Sequence, residues 1–442
     1  MSPLSTKSPA ALSARMTRFC LTVFCALLMT AKPVWAEQTF GLDQLISLGL
    51  NQNPNVLASR DQVDAARGGA TVARAYPNPE ISGQSGRGQE RNTTVPLAGQ
   101  VYNFTLHQPI EIPSVRSARI DTADAMVVAT EAARQGFEDD TVARIKLAYY
   151  DLLRRNAEEK AANEDLQLTQ QIKERIALRH KVGESPKFDL IRAETELLNA
   201  QKNHEAARLR VEMARANLRL AVGTQLPADW SVKGNLASSI KLPTLQKLQE
   251  ELLARNPSIA RSEAEKRAAE HRVDHEKGQR LPKVALIAQR DVDPTLQSSR
   301  AGLSLTIPIW DFKSGQISQA RAELSRATHQ VSAQKMNLVE SLDATYRMYQ
   351  IASNQVHVLE TQLLTQAAAA QRIAEAAYRY GERGILEWLD AQRTYRAARN
   401  ELISARYDLA TVSVEIDRLR SIAADTALQP TANDARGLPL HP

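Results

Sequence analysis

Two carboxylates, Glu387 and Asp390, stand three residues apart just after Gly381-Glu382. That spacing puts both on one face of a helix. A carboxylate pair on one face attracts cations and repels anions. By spacing alone it equally describes an ordinary solvated face. His271 and His275 stand at i and i+4, a separation that can present two imidazoles to one metal ion. Their setting is a charged run, Glu263 to Lys277, where histidines are usually exposed and free, so they are weak metal candidates and no metal site is assigned. His204 holds a regular seam position and reads as a packed histidine, while His107 is unassigned. Asn92-Thr93-Thr94 matches a glycosylation sequon and is taken as coincidence. There is no G-x-S-x-G, no H-E-x-x-H and no phosphate loop, so nothing supports an enzyme and no cofactor is expected.

The elements that must position these residues are long helices. Leu190, Ala193, Leu197, Ala200, His204, Ala207, Val211, Ala214, Leu218 and Ala221 recur at 3-4-3-4 spacing without a break. A second seam runs Trp388, Ala391, Tyr395, Ala398, Leu402, Ala405, Leu409, Val412, Ile416, Leu419. A strict heptad keeps one face toward a neighbour and makes helices supercoil, and alanine on alternate rungs lets that neighbour come close. Each seam begins after a glycine turn, Gly183-Glu184 or Gly381-Glu382.

The match between the seams is part of a duplication. Asn53-Pro54 and Asn256-Pro257 are 203 residues apart, as are Pro79 and Pro282. Gln108-Pro109-Ile110 and Ile307-Pro308-Ile309 are 199 apart, and the two Gly-Glu turns are 198 apart. A nearly constant offset over four markers is an internal repeat. Each half predicts a helix (Leu42–Tyr76, Thr244–Arg280), an extended region (Glu80–Gln108, Val284–Ile309), a long helix (Ser114–His180, Ser314–Tyr380) and a final helix after the turn (Pro186–Val222, Ile385–Ser421). The two shorter helices of each half together match the long one, so they can stack end to end beside it. The organisation is then 37–222 for the first repeat, 223–243 for a linker, 244–421 for the second repeat and 422–442 for a disordered polar tail.

The extended regions alternate. Tyr102, Phe104 and Leu106 oppose Asn103, Thr105 and His107, and Leu303, Leu305, Ile307 and Ile309 oppose Ser304 and Thr306. Period-2 alternation predicts strands with one apolar and one polar face. Glu80–Gly88 and Val284–Asp291 are their partners, with loops at Gly86–Gln100 and Asp293–Ser299. Four strands are too few to close a membrane barrel, and open edges are not tolerated in lipid. Either several chains share one barrel, or the strands form a small soluble sheet packed on a helix.

Residues 1–36 read as an export signal, with Lys7, Arg15 and Arg18 as a basic leader, Phe19 to Thr30 as a short apolar run, and Val34-Trp35-Ala36 as a small-x-small cleavage site. Both cysteines, Cys20 and Cys25, fall in this segment, so the mature chain has no disulfide and no thiolate metal site. The segment also carries four of the basic residues and no acids, and its removal lowers the formal net charge from +6 to +2. That balance makes no case for nucleic acid. No mature stretch is apolar enough for a spanning helix.

Across the mature chain the pattern resembles the TolC-like outer-membrane efflux proteins. The duplication, the Asn-Pro and Pro-Asn-Pro exits, the strand-then-proline entries into long helices, and the run Tyr378-Arg379-Tyr380-Gly381-Glu382-Arg383-Gly384-Ile385-Leu386-Glu387-Trp388-Leu389-Asp390-Ala391 carry it. Pro77-Asn78-Pro79-Glu80 and Gln108-Pro109-Ile110-Glu111…Arg116-Ser117-Ala118-Arg119 are similar to the heavy-metal, CzcC-like branch. The chain departs from that branch at Pro113-Ser114-Val115, where a glycine-lysine pair is usual. The resemblance implies a mainly α fold with membrane β: duplicated coiled-coil hairpins plus four strands per chain, three chains making a twelve-stranded barrel on a helical periplasmic tunnel. It implies a homotrimer in outer-membrane lipid working with a periplasmic membrane-fusion adaptor and an inner-membrane RND-type transporter. The cargo is divalent heavy-metal cations or, alternatively, small organic compounds. A different-class alternative is a poreless coiled-coil adaptor or scaffold. By motif position, the resemblance makes Glu387 and Asp390 the ring at the closed periplasmic mouth. It makes Tyr378, Arg383 and Asp189 its latch, with a Tyr378–Asp189 hydrogen bond, and Gly183, Glu184, Gly381 and Glu382 the adaptor-docking tips.

Overall fold

The computed structural model describes residues 38–89, 98–227, 230–237 and 239–421. The expected leader, tail and Asn92 sequon lie outside the described residues. A short strand β1 (Gln38–Phe40) precedes α1 (Leu42–Gln52) and α2 (Pro54–Arg74). Strands β2 (Glu80–Gln89) and β3 (Ala98–Ile110) lead into α3 (Pro113–Lys181), which turns back as α4 (Lys187–Val222). After β4 (Trp230–Val232) the plan repeats as α5 (Leu245–Arg255), α6 (Pro257–Gly278), β5 (Lys283–Val292), β6 (Gln297–Thr306), α7 (Ser314–Val358), α8 (Leu364–Arg379) and α9 (Ile385–Leu419).

The helices expected at Leu42–Tyr76 and Thr244–Arg280 are each broken in two, at Asn53 and Asn256. A residue before proline is pushed out of the helical region, and both asparagines take extended backbone, with φ −66° and −63°. Three hydrogen bonds at each then make the joint. The Asn53 N–H donates to Gly49 O (3.2 Å) and closes α1. Its Oδ1 accepts from Asn55 N (2.9 Å) and opens α2. Its Nδ2 donates to Val222 O (3.2 Å), the last carbonyl of α4. Asn256 repeats all three, to Leu252 O (3.0 Å), from Ser258 N (2.9 Å) and to Leu419 O (2.9 Å) at the end of α9. The end of each hairpin helix is thus joined to the start of the next rod, and the two shorter helices do stack end to end. Gly223 ends α4 at φ +75°, and a Cβ there would sit 2.3 Å from Asn53 Nδ2, so only glycine admits the joint.

Rod α3 lies along α4 in one direction and along α2 and α6 in the other, while α9 runs along α7 and α8 and against α3. The alternate alanines of α4 (Ala193, Ala200, Ala207, Ala214) are buried, as are Trp388, Ala398, Leu402, Ala405 and Leu409 on α9. The expected single helix Ser314–Tyr380 is interrupted by a π-helical turn, Leu359–Leu363. In the linker, β4 pairs in parallel with β1. Two tyrosines hold it: Tyr149 donates to Lys233 O, and Tyr349 donates to Ile240 O (2.5 Å).

The four long strands form one sheet in the order β2-β3-β5-β6. The expected loops are shorter than predicted, because β2 pairs to Gln89, β3 from Ala98 and β6 from Gln297. Strand β6 stops at Thr306, so Ile307 and Ile309 lie past the ladder, where Pro308 lacks the N–H to continue it. Paired residues share a face. One face carries Ile81, Tyr102, Phe104, Leu106, Leu286, Leu303 and Leu305, all exposed; the other carries Asn103, Thr105, Gln289, Asp291 and Ser304. This inverts a soluble sheet, where the apolar face is the covered one.

Asn256→Ala strands Leu419 O and the Ser258 N–H and is expected to lower stability by about 2–3 kcal/mol. Asn55→Ala, on an exposed side chain, is expected to change it by less than about 0.5 kcal/mol. Urea unfolding of the detergent-purified protein checks both, and equal midpoints would remove the asparagine joint as a stabilising element.

Candidate functional site at the hairpin tips

Both hairpins turn through the same backbone device. At the first, Glu184 N donates to Arg179 O (2.9 Å) and Gly183 N to His180 O (3.1 Å). At the second, Glu382 N donates to Ala377 O (2.9 Å) and Gly381 N to Tyr378 O (3.2 Å). This is the Schellman pattern, whose C′ residue must be left-handed. Gly183 (φ +82°) and Gly381 (φ +75°) supply it, and neither would meet an atom within 4 Å through an added Cβ. Glycine is there for its backbone, and the turns project freely.

The two tips pack on each other. Ile172 and Ile176 of α3, Ala193 of α4, and Ile385, Trp388 and Leu389 of α9 form one buried cluster, with Trp388 only 1% exposed. Tyr378 stacks on Trp388 with ring centroids 5.1 Å apart, and the Arg179 guanidinium lies 5.3 Å from the Tyr378 ring. Trp388 and Leu389 face inward, so Glu387 and Asp390, one residue to either side of them, face out and are exposed. Glu387 Oε2 pairs with Arg383 Nη1 at 3.1 Å, one turn back on the same tip.

The structure does not bring Tyr378 and Asp189 together within one chain. Tyr378 is committed to Trp388 and Arg179, while Asp189 accepts from Ser185 Oγ (3.1 Å) across its own turn. Arg383, in the turn, pairs with Glu387 of the same hairpin. His275 is also occupied: its Nδ1 lies 3.3 Å from Val115 O and its Nε2 3.3 Å from Gln279 Nε2. Among the described residues no group of three or more His, Cys, Asp or Glu side chains is placed to hold a metal ion. His204 lies 3.1 Å from Glu159 Oε1 on α3.

Sequence reasoning missed the ionic contacts above the tip, where one hairpin holds the other. Arg393 pairs with Glu196, which is buried on α4. Arg399 pairs with Asp165 (2.7 Å) and Glu164 (3.2 Å) on α3 and also donates to Ala161 O (2.9 Å). Burial pushes the Asp165 carboxyl above its usual range even though Arg399 and Arg396 pull it down. The three-residue spacing of Arg393, Arg396 and Arg399 is visible in the sequence; their partners on another hairpin are not.

The Gln108–Arg119 run proves to be a clasp where the sheet meets the helices. Glu111 holds Arg119 (Oε2 to Nη2, 2.8 Å), and Arg119 donates to Ala73 O (3.0 Å) and Ala75 O (3.1 Å). Arg116 donates to Arg74 O (2.6 Å). Two guanidinium groups thus cover the carbonyl end of α2, where a cation is favoured.

Comparison with known proteins decides the family. Residues 45–224 and 248–420 match the family described as Outer membrane efflux protein, one segment in each repeat. This chain belongs to the outer membrane efflux protein family. Over 394 residues it is 25% identical to the cobalt-zinc-cadmium resistance protein CzcC of Cupriavidus metallidurans, covering 88% of this chain and 92% of that one. It is 24% identical over 399 residues to the toluene efflux pump outer membrane protein TtgC of Pseudomonas putida, covering 85% and 81%. The crystal structure of CusC superposes with a TM-score of 0.74 at 18% identity, covering 86% of this chain and 91% of that one. The outer membrane efflux fold accounts for the inverted sheet: each chain contributes four strands to a barrel and its hairpins to a helical tunnel, three chains completing both. Family members are passive channels, not enzymes. Among the described residues no helix is long and apolar enough to cross a membrane, and in this fold the barrel crosses it.

Trp388→Ala is expected to cost the tip cluster about 3–5 kcal/mol. The loosened tip should then be cut by trypsin at Arg379 and Arg383 at a protease concentration that leaves the parent intact. Parental resistance to digestion would mean that the tip does not depend on Trp388.

Proposed function

We propose that this channel is the exit duct of a tripartite pump for divalent metal cations, passive in itself and driven by an inner-membrane RND-type transporter through a periplasmic membrane-fusion adaptor. The single observation behind the cation reading is the exposed carboxylate pair of Glu387 and Asp390 at the tip. Three chains around one axis bring six carboxylates to the narrow end. Such a ring concentrates divalent cations and repels anions before they enter. The likeness to CzcC, a cobalt-zinc-cadmium resistance protein by name, supports the same cargo.

The tip geometry supplies the gate. The closed arrangement is held by the Trp388 cluster, the Tyr378 stack with Arg179, and the Arg393 and Arg399 bridges between hairpins. The free Gly183 and Gly381 turns, with Glu184 and Glu382, offer the docking points for the adaptor. Adaptor engagement turns the second hairpin away from the first, breaks these contacts and widens the acidic mouth. Arg383 tethers Glu387 in the closed state, and Asp189 stiffens the first turn through Ser185.

The second reading, a duct for small organic compounds, is favoured by the likeness to TtgC, a toluene efflux pump protein by name. A strain lacking this channel separates the two. Sensitivity confined to zinc, cobalt and cadmium supports metal export, while sensitivity confined to solvents, dyes and antibiotics overturns it. In planar-bilayer recordings, replacing Glu387 and Asp390 together by alanine is expected to lower cation preference and relieve block by divalent cations. Unchanged selectivity would overturn the acidic-mouth assignment. Alanine at both Tyr378 and Arg383 is expected to raise conductance, and parental conductance would show that they do not hold the mouth closed.

A further inference from the structure

The apolar face of the sheet holds one feature that its burial in hydrocarbon does not explain. Strands β2 and β5 leave the helical body at Glu80 and Lys283, so Gln89 and Val292 mark the end distal to the helices. Arg290 lies in the distal half of β5. Its register partners are Phe104 on β3 and Ser299 on β6, which places it on the apolar face rather than the polar one. It is exposed and, among the described residues, pairs with no acid; the neighbouring Asp291 is held by Arg300. The neighbouring carboxylate, Asp291, points to the opposite face, where Arg300, Asn103 and Gln289 donate to it. An unpaired cation on a lipid-facing surface is costly unless an anion meets it.

Beside Arg290 the same face is concave. The Phe104 ring leans over Gly83 on β2, where an added Cβ would meet it at 3.3 Å. The small residues Ala288 and Ala301 then form the floor, between Leu106 and the Arg290–Ser299 pair. The depression has a volume of about 480 Å³. It is apolar along its length and cationic at its distal end.

We propose that this groove binds one phosphate-bearing lipid of the distal leaflet. The phosphate sits on the Arg290 guanidinium with the Ser299 hydroxyl as a second donor, and an acyl chain lies over Ala288 and Ala301 beside Phe104. Guanidinium matches phosphate through parallel N–H donors, and the groove selects for an attached chain. The proposal rests on the reading of these strands as membrane strands.

The test is native mass spectrometry of the delipidated, detergent-purified protein. Lipid A, a diacylglycerol of matched chain length, and inorganic phosphate are titrated separately. Lipid A is expected to bind in preference to both. Arg290→Gln is expected to weaken lipid A binding about tenfold, the equivalent of one charge-assisted contact. Arg290→Lys, which keeps the charge but loses the parallel donors, is expected to fall between the parent and Arg290→Gln, and Ala301→Leu, which fills the groove, to weaken binding without removing the charge. Equal lipid A binding by the parent and Arg290→Gln would overturn the proposal, as would equal binding of diacylglycerol or of inorganic phosphate. Pore formation by the parent in a planar bilayer tests the membrane reading separately. A parent that forms pores while Arg290→Gln binds lipid A unchanged refutes the lipid site alone, and a parent that forms no pores refutes the reading beneath it.

Discussion

The architecture depends on one side chain used twice. A helical rod as long as α3 needs a neighbour of equal length, and among the described residues no other helix is as long. The chain assembles that neighbour from pieces, and each join leaves carbonyls at one helix end and N–H groups at the next start without partners. Asn53 and Asn256 satisfy both sides of a join from within the wall, 4% and 6% exposed. Asparagine alone among small residues presents a carbonyl and an amino group on one planar head, and the following proline fixes the entry to the next helix. Aspartate would lose the donor to Val222 O or Leu419 O, and serine would not reach both ends. The duplicated Asn-Pro is therefore the condition for a continuous wall.

A second constraint comes from the sheet. Its apolar face is outward and, among the described residues, its two edge strands, β2 and β6, each have one side without a partner. Open edges in hydrocarbon leave N–H and C=O groups unsatisfied. The edges of neighbouring chains satisfy one another, which turns an unstable single sheet into a closed barrel. The same closure brings three copies of the tip to one axis. One geometric requirement at the sheet thus reaches the opposite end of the molecule, and the acidic mouth proposed for the tips rests on it.

Much of this was legible because repeats and periods are one-dimensional. The offsets near 200 residues, the two heptad seams, the alternating strands and the Gly-Glu turns were all written in residue types and spacing. What was not legible is mostly pairing across distance. Tyr378 could be placed at the tip but not on Trp388, since stacking is set by the approach of α8 to α9. Arg399 could be seen on α9 but not its partners Glu164 and Asp165, more than 230 residues earlier. The π-turn at Leu359–Leu363 carries no glycine or proline to announce it. The breaks at Asn53 and Asn256 were visible as repeat markers, yet the apolar spacing continues through them and read as one helix. Nothing in a single sequence shows that Asn53 reaches the end of α4.

The central claim is that one chain is an incomplete object, with four strands and two hairpins that close only in the company of two copies. The most direct measurement is the stoichiometry of the protein extracted from the outer membrane, read by native mass spectrometry after mild detergent release. Three copies per particle is the expected result. A stable particle of one or two copies would contradict the account: one copy leaves the free edges of β2 and β6 unpaired, and two would close eight strands rather than twelve.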